Sequence, residues 1–283
     1  MDKIYINNVR TTKVTWFGRI IYYLLPYRRK VVQNNINQVY GNNLTLAEKK
    51  HLAQAFYSHL ATFLQETISL RFISNHTLKN KVKVEGHEKL LKIAQEGKGV
   101  LLLTAHIGNW EYAPLGAILN FTEFTGHFHF IRRTLTNKTI EKILFSRYFK
   151  AGLKIIPKKR GSLDLVCQAL EHNHAVIFVL DQHAALDNKD GIAVEFFNRK
   201  AGTYRSLASI ARNTSIPVIP TETFRQKNGT HVLKFHEPLL WQDYTNSKEA
   251  LYQNTKIYNQ AIESMILNHP EQWMWLHKRW KIL

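Results

Sequence analysis

The chain has 283 residues with 45% hydrophobic content, enough for one large α/β domain with a sizeable core. Its 39 Lys and Arg against 21 Asp and Glu give a formal net charge of +18, an excess that favours nucleic acid, anionic lipid or an acidic partner protein without choosing among them. The lone cysteine, Cys167, excludes an intramolecular disulfide and reads as a packing residue in the apolar stretch LDLVCQAL.

The first residues, MDKIYINNVRTTKV, lack the apolar run and small-residue cleavage site of a secretory signal. The next stretch, WFGRIIYYLLPYRRK, is apolar from Trp16 to Leu25, interrupted at Arg19 and stopped by Pro26. A membrane-crossing helix needs about 20 apolar residues, so this segment does not span. Trp16, Tyr22, Tyr23 and Tyr27 beside Arg28, Arg29 and Lys30 suit a helix lying in a lipid interface. A core helix is the other reading of the same pattern.

Thr45 followed by Glu48 makes a capping-box start, after which Leu52, Phe56, His59, Leu60, Phe63 and Leu64 fall on one helical stripe. From Val82 the rhythm changes. The runs GVLLLTA, FTGHFHFI, LKIIPK, AVIFVLDQ and IPVIPTETF alternate with helical patterns such as TIEKILFSRYFKAG and SLDLVCQALEHN. That alternation predicts an α/β fold with a mostly parallel central sheet covered by helices. The expected organisation is a helical N-terminal extension over residues 1–81 and an α/β domain over 82–283, packed as one unit.

Chemistry in such sheets gathers at the carboxyl ends of strands. VLLLTA ends at His106 and AVIFVL ends at Asp181 and Gln182, so one pocket is expected there. In HIGNWE, Gly108 permits a turn and Asn109 caps a helix starting near Trp110. Glu111 then sits in the first turn, with its carboxylate turned back to one imidazole nitrogen of His106. The other nitrogen is left to take a proton. A capping or core histidine beside a solvated glutamate is the plainer alternative. No H-E-x-x-H, paired cysteines, G-x-S-x-G, Walker loop or G-x-G-x-x-G occurs, so no metal or cofactor is expected.

These residues carry a resemblance. TAHIGNWE resembles the H-x4-D/E motif of the glycerolipid acyltransferase superfamily, and VEGHEKLLKIAQEGKGVLLLTAHIGNWE is similar to its bacterial lipid A late acyltransferase branch. RTLTNKTIEKILFSRYFKAGLKIIPKKRG resembles that branch's arginine-bearing second block. VLDQHAALDNKDGIAVEFFNRKAGTYRSLASIARNTSIPVIP resembles its D-Q, F-F-G-x-x-A-x-T and P-V-I-P blocks, and PEQWMWLHKRW its closing segment.

The resemblance implies transfer of a fatty acyl group from an acyl carrier protein thioester to a hydroxyl of an anionic lipid A-type acceptor. It also implies peripheral or monotopic attachment at the cytoplasmic face of the inner membrane. By position it implies His106 as general base, Glu111 as its orienter and Asp181 as an acidic residue near the base. It implies that Arg133 and Arg147 hold the acceptor's phosphate or stabilise the oxyanion, that Lys158, Lys159 and Arg160 serve the same anion, with an exposed solvated run as the other reading of these three, and that Asn109 and Gln182 complete the substrate contacts. Asn198 stands where the family usually has glycine, a replacement that tolerates positive φ. The N-terminal apolar run is shorter than the family's spanning helix, so a lysophospholipid or other glycolipid is the alternative acceptor. The tryptophans of QWMWLHKRW read as a core-docking helix, with a lipid-facing belt as the alternative. A nucleic-acid-binding protein needs basic and aromatic residues interleaved on a β surface, whereas the aromatics here fall mainly in helical and terminal segments, so nucleic acid is not an expected partner.

Overall fold

The computed structural model describes residues 2–281 except 26, 122–123, 135, 138, 140, 142–144, 160 and 187–189. Helices α1 (Lys3–Arg10), α2 (Trp16–Leu24), α3 (Arg29–Tyr40) and α4 (Leu46–Ser69) build the N-terminal region. The capping box opens α4: Glu48 N donates to Thr45 Oγ1 at 3.2 Å, and Thr45 N to Glu48 Oε2 at 2.8 Å. Leu52, Phe56, His59 and Phe63 lie on its buried face together with Ala53, Ala55, Tyr57 and Ser58. Leu60 is half-buried and Leu64 exposed, so these two members of the expected stripe lie outside that face.

Next come α5 (Asn75–Asn80), β1 (Val82–Glu85), α6 (His87–Gln95), β2 (Val100–Thr104), α7 (Tyr112–Ile118), β3 (Phe128–Arg132), α8 (Ser146–Lys150) and β4 (Lys154–Pro157). They are followed by α9 (Ser162–Glu171), β5 (Ala175–Val179), β6 (Gly191–Phe196), β7 (Arg199–Tyr204), α10 (Ser206–Thr214), β8 (Val218–Arg225), β9 (His231–Phe235) and α11 (Ser247–Asn268). The main sheet has the order β1-β9-β8-β2-β5-β3-β4. Neighbours run parallel except β8 and β9. β2 lies between β8 and β5 and its Val100, Leu101, Leu102 and Leu103 are all buried. A strand covered on both faces has no solvent side, which is why VLLL reads as an unbroken apolar run.

Alternation along β2 splits the core. Leu101 and Leu103 face one cluster, which also holds Val9, Tyr22, Ile36 and Phe56 from the N-terminal helices, Ile262 of α11, and Trp273 and Trp275. Val100 and Leu102 face the other, with Leu90 and Ile93 of α6 and Leu115 of α7. The N-terminal helices thus share one core with a face of the sheet.

β6 and β7 form a separate antiparallel hairpin whose turn places Phe197 at φ 52° and Asn198 at φ 57°. Two successive positive φ values match the twist of a tight hairpin, and asparagine is among the side chains that accept this backbone most readily. The C-terminal segment is a 3-10 turn, Pro270–Gln272, followed by irregular chain instead of the expected helix. Trp273 and Trp275 are nonetheless fully buried, which favours packing over a lipid belt. Cys167 is half-buried on α9.

Candidate active site

The sheet's register brings two distant residues together. Thr104 at the end of β2 pairs with Val179 at the end of β5. His106 and Asp181 each lie two residues beyond that pair, so the parallel strands deliver them side by side at their carboxyl ends. The His106 Nδ1 is 2.9 Å from Asp181 Oδ1, and His106 N donates to Asp181 Oδ2 at 3.1 Å. Trp273 Nε1 donates to the same Oδ2 at 2.8 Å. Asp181 is fully buried.

An ionised carboxylate only accepts, so Nδ1 carries the proton and Nε2 keeps the free lone pair. Burial works against ionising Asp181, but His106, Trp273 and the His106 amide hold its carboxyl well below the usual carboxylate range. Burial likewise opposes charge on His106, yet Asp181 and then Glu111 raise its pKa above the ordinary 6.5. The imidazole is oriented, and more basic than a free one.

The loop that carries His106 is clamped from the C-terminal segment. Met274 N donates to His106 O at 2.9 Å, and Gly108 N to Gln272 O at 3.1 Å. Gly108 has φ +63°, and a Cβ there would sit 2.5 Å from Thr223 O, so the turn requires glycine.

Glu111 does not hold the imidazole. It occupies the turn before α7, and its carboxylate accepts from the Tyr148 hydroxyl, which also lies 2.7 Å from the Glu111 carbonyl oxygen. The orienting bond expected from Glu111 therefore belongs to Asp181. The reason is topological: β5 sets Asp181 beside the Nδ1 edge, while the cap of α7 turns Glu111 towards α8. Tyr148 is buried, and burial together with Glu111 pushes its pKa well above the usual 10.0, so the hydroxyl stays a donor.

The remaining sequence-predicted residues divide by place. Asn109 is fully buried and caps α7, its Oδ1 accepting from Glu111 N at 3.2 Å and Tyr112 N at 3.1 Å. It shapes the corner and is closed to substrate. Gln182 lines the cavity with Nε2 3.4 Å from His106 Nε2 and 3.4 Å from His277 Nε2. Arg133 is exposed at the cavity wall. Arg147 turns away: its guanidinium donates to Leu70 O and, at 2.7 Å, to Asn75 Oδ1, tying α8 to the end of α4 and the start of α5. Arg160 lies outside the described residues.

His106 opens on a cavity of about 780 Å³, within the range of small-molecule sites. It runs down one sheet face by alternation: His106, Thr104 and Leu102 on the β2 side, Val179 and Ile177 on β5, Arg132, Phe130 and Phe128 on β3. The carboxyl end is polar, with Glu111, Arg133, Lys158 and Gln182. Towards the amino ends of the strands the walls become apolar, with Leu90, Ile118, Phe121 and Phe128. Such a shape takes a ligand with a reactive polar head and a hydrocarbon tail. Among the described residues, no group of three or more His, Cys, Asp and Glu is placed to hold a metal ion.

Residues 7–282 match the family model described as bacterial lipid A biosynthesis acyltransferase. The chain belongs to this acyltransferase family. A lipid A biosynthesis palmitoleoyltransferase of Escherichia coli is 21% identical across 95% of this chain and 91% of its own. A phosphatidylinositol mannoside acyltransferase of Mycolicibacterium smegmatis is 19% identical across 81% of this chain and 72% of its own. Its counterpart from Mycobacterium tuberculosis is 22% identical across 65% and 55%, respectively. Within the lipid A acyltransferase family, then, this chain sets the imidazole of its H-x4-E sequence against the aspartate of its D-Q sequence. Sequence reasoning missed Trp273, Tyr148 and His277 as parts of this site. QWMWLHKRW was legible as a block, but nothing in it shows that one indole reaches Asp181 while the next, on Trp275, donates to Pro270 O.

Proposed function

We propose that this lipid A-family acyltransferase moves a fatty acyl chain from an acyl carrier protein thioester to a hydroxyl of a lipid A-type glycolipid, with His106 as general base. The observation that carries this reading is the unprotonated Nε2 edge of an Asp181-held imidazole, with Gln182 beside it, facing a cavity that is polar at its head and apolar along its length. The acceptor hydroxyl loses its proton to His106 Nε2 as its oxygen attacks the thioester carbonyl. The charge that gathers on the carbonyl oxygen is met by cations at the cavity mouth, where Arg133 and Lys158 stand. Collapse breaks the carbon–sulfur bond, and the imidazolium returns the proton to the leaving thiolate. Glu111 sits at the same mouth, placed to accept a hydrogen bond from the acceptor. The acyl chain occupies the apolar run between Leu102 and Phe128.

A membrane surface is the proposed partner, at the cytoplasmic face. Among the described residues no helix is long and apolar enough to cross a membrane. On α2, Trp16, Ile20 and Leu24 recur at helical spacing and are 73%, 38% and 71% exposed, which favours the interfacial reading over the core one. Leu64, Ile68 and Phe72, on and just beyond α4, add a second exposed apolar row. Arg28 and Lys30 are exposed beside the first. Liposome binding should therefore need anionic lipid for full strength and weaken in high salt without vanishing, because apolar burial is not screened.

The deciding assay offers purified protein labelled acyl carrier protein thioester or acyl-CoA, with a lipid A precursor, a phosphatidylinositol mannoside or a lysophospholipid as acceptor. Label moving from the carrier thioester to the lipid A precursor supports the proposal. Transfer only to another acceptor, or only from acyl-CoA, overturns the assignment of that substrate.

A further inference from the structure

Behind the catalytic corner, outside the cavity, lies a polar cluster that the reaction just described does not use. Glu66 on α4 sends its carboxylate across the N-terminal region into the α/β domain. Its Oε2 accepts from Asn109 Nδ2 at 3.0 Å and from Arg225 Nη1 at 3.0 Å, and its Oε1 lies 3.3 Å from His231 Nε2. Arg225 also reaches His59 Nδ1 at 3.3 Å. Burial and the Arg225 charge push His59 down to about 3, so this ring is neutral and accepts. Asn109 and His231 are almost fully buried.

Such a cluster is costly to assemble. The Glu66 carboxylate is partly buried, with 18% of its side chain exposed, and it holds its place through donors from the loop before α7, the end of β8 and the start of β9. The consequence falls on Asn109. Its Oδ1 caps α7 while its Nδ2 is spoken for by Glu66, so the amide cannot rotate without losing one of the two. Asn109 lies three residues after His106 and two before Glu111.

We infer that Glu66 is a positioning residue, which fixes the Asn109 amide and through it the spacing of His106 and Glu111 at the mouth of the cavity. It is not among the residues that line the cavity. Arg225 and His231 hold Glu66 in turn, and the N-terminal region is thereby part of the catalytic geometry and not an appendage to it.

The proposal rests on the acyl-transfer reading, so its test includes a signal that needs no substrate. Glu66→Gln cannot satisfy Arg225 and His231 as a carboxylate does. Its kcat should fall about 10–100-fold, the cost of a misplaced catalytic group. The KM for the acyl donor should stay within about twofold. In the free enzyme, the His106 ring resonance should shift. Asn109→Asp sets two carboxylates face to face and should lower kcat further. The double variant E66Q/N109D restores a donor opposite an acceptor and should regain part of that loss. Where Glu66→Gln fails to fold, Asn109→Ser serves: its hydroxyl still caps α7, but the donor to Glu66 is gone. Wild-type kcat and an unmoved His106 resonance in a folded Glu66→Gln or Asn109→Ser protein overturn the proposal, as does an E66Q/N109D variant no better than Asn109→Asp. Failure of the wild-type protein to transfer acyl groups, with the His106 resonance still moving in the variants, removes the acyl-transfer reading and leaves the positioning role standing.

Discussion

Two carboxylates flank one imidazole, and their surroundings give them different work. Asp181 is fully buried at the end of β5, where it accepts from the His106 ring, the His106 amide and the Trp273 indole. Glu111 stands on the cavity wall, half-buried, with Tyr148 as its donor. A carboxylate tied to three donors cannot follow a substrate, so Asp181 suits a fixed role. One with a single side-chain donor and access to the cavity has lone pairs left for a ligand. The sequence spacing joins His106 to Glu111, but the sheet register joins His106 to Asp181.

The largest effect should follow removal of the shared imidazole. His106→Ala is expected to lower acyl transfer by about 10²–10⁴-fold, the usual worth of a general base, with the fold intact. Near-wild-type turnover in a folded variant would leave neither carboxylate with a base to serve.

Asp181→Asn comes next, and it separates the two carboxylates most sharply. The amide fills the same volume but no longer fixes the tautomer, so the rate should drop on the order of 10²–10³-fold. The pH profile should move as well. A His106 base would act only when neutral, so kcat/KM in the wild type should rise with pH through a pKa above the ordinary 6.5. Without the Asp181 charge, burial is left as the main influence and depresses that pKa, so the acid limb should shift to lower pH. A limb that stays in place assigns the raised pKa to another group.

Glu111→Gln should cost less than either, about 10-fold, because Glu111 does not hold the ring. If Glu111 contacts the acceptor, the loss should appear in the acceptor's KM more than in the donor's. A loss exceeding that of Asp181→Asn would exchange the roles given to the two carboxylates.

What the sequence made legible follows from range. The runs VLLL and VIFVL announce a doubly covered parallel sheet because the burial of β2 and β5 is written into consecutive residues. The capping box at Thr45 and the turn at Gly108 are local in the same way. The pairing of His106 with Asp181 spans 75 residues and depends on which strands are neighbours. Alternation predicts parallel strands but does not order them. Glu111, five positions away, looked the nearer partner for that reason. The cap at Asn109 was legible, but the substrate contacts expected of Arg147 and Asn109 were not to be read from sequence for a related reason. A guanidinium or an amide in a conserved-looking block carries no mark of whether it faces a substrate or, as here, Leu70 O and Glu66. The exposed row formed by Leu64, Ile68 and Phe72 was hidden because a helical stripe read from sequence has no fixed edge.

The smallest effect, and the finest test of the comparison, belongs to Tyr148→Phe. The substitution removes one hydroxyl from the wall beside α7 and keeps the ring that packs against Phe130 and Phe145. Glu111 then loses its side-chain donor and is free to turn towards His106, whose pKa its charge already raises. Bringing an anion closer to the imidazole stabilises the protonated form, so the acid limb of kcat/KM should move to higher pH, opposite to Asp181→Asn. In a partly wet site the change is worth under about 1 kcal/mol, or roughly half a pH unit. At a pH well above the limb, turnover should fall only a few-fold, since the base and its aspartate are untouched. Opposite movements of the two limbs would show that the fixed and the free carboxylate act on the same imidazole by separate routes. A Tyr148→Phe limb that moves down, together with Asp181→Asn, would mean that Tyr148 supports the Asp181 side of the site.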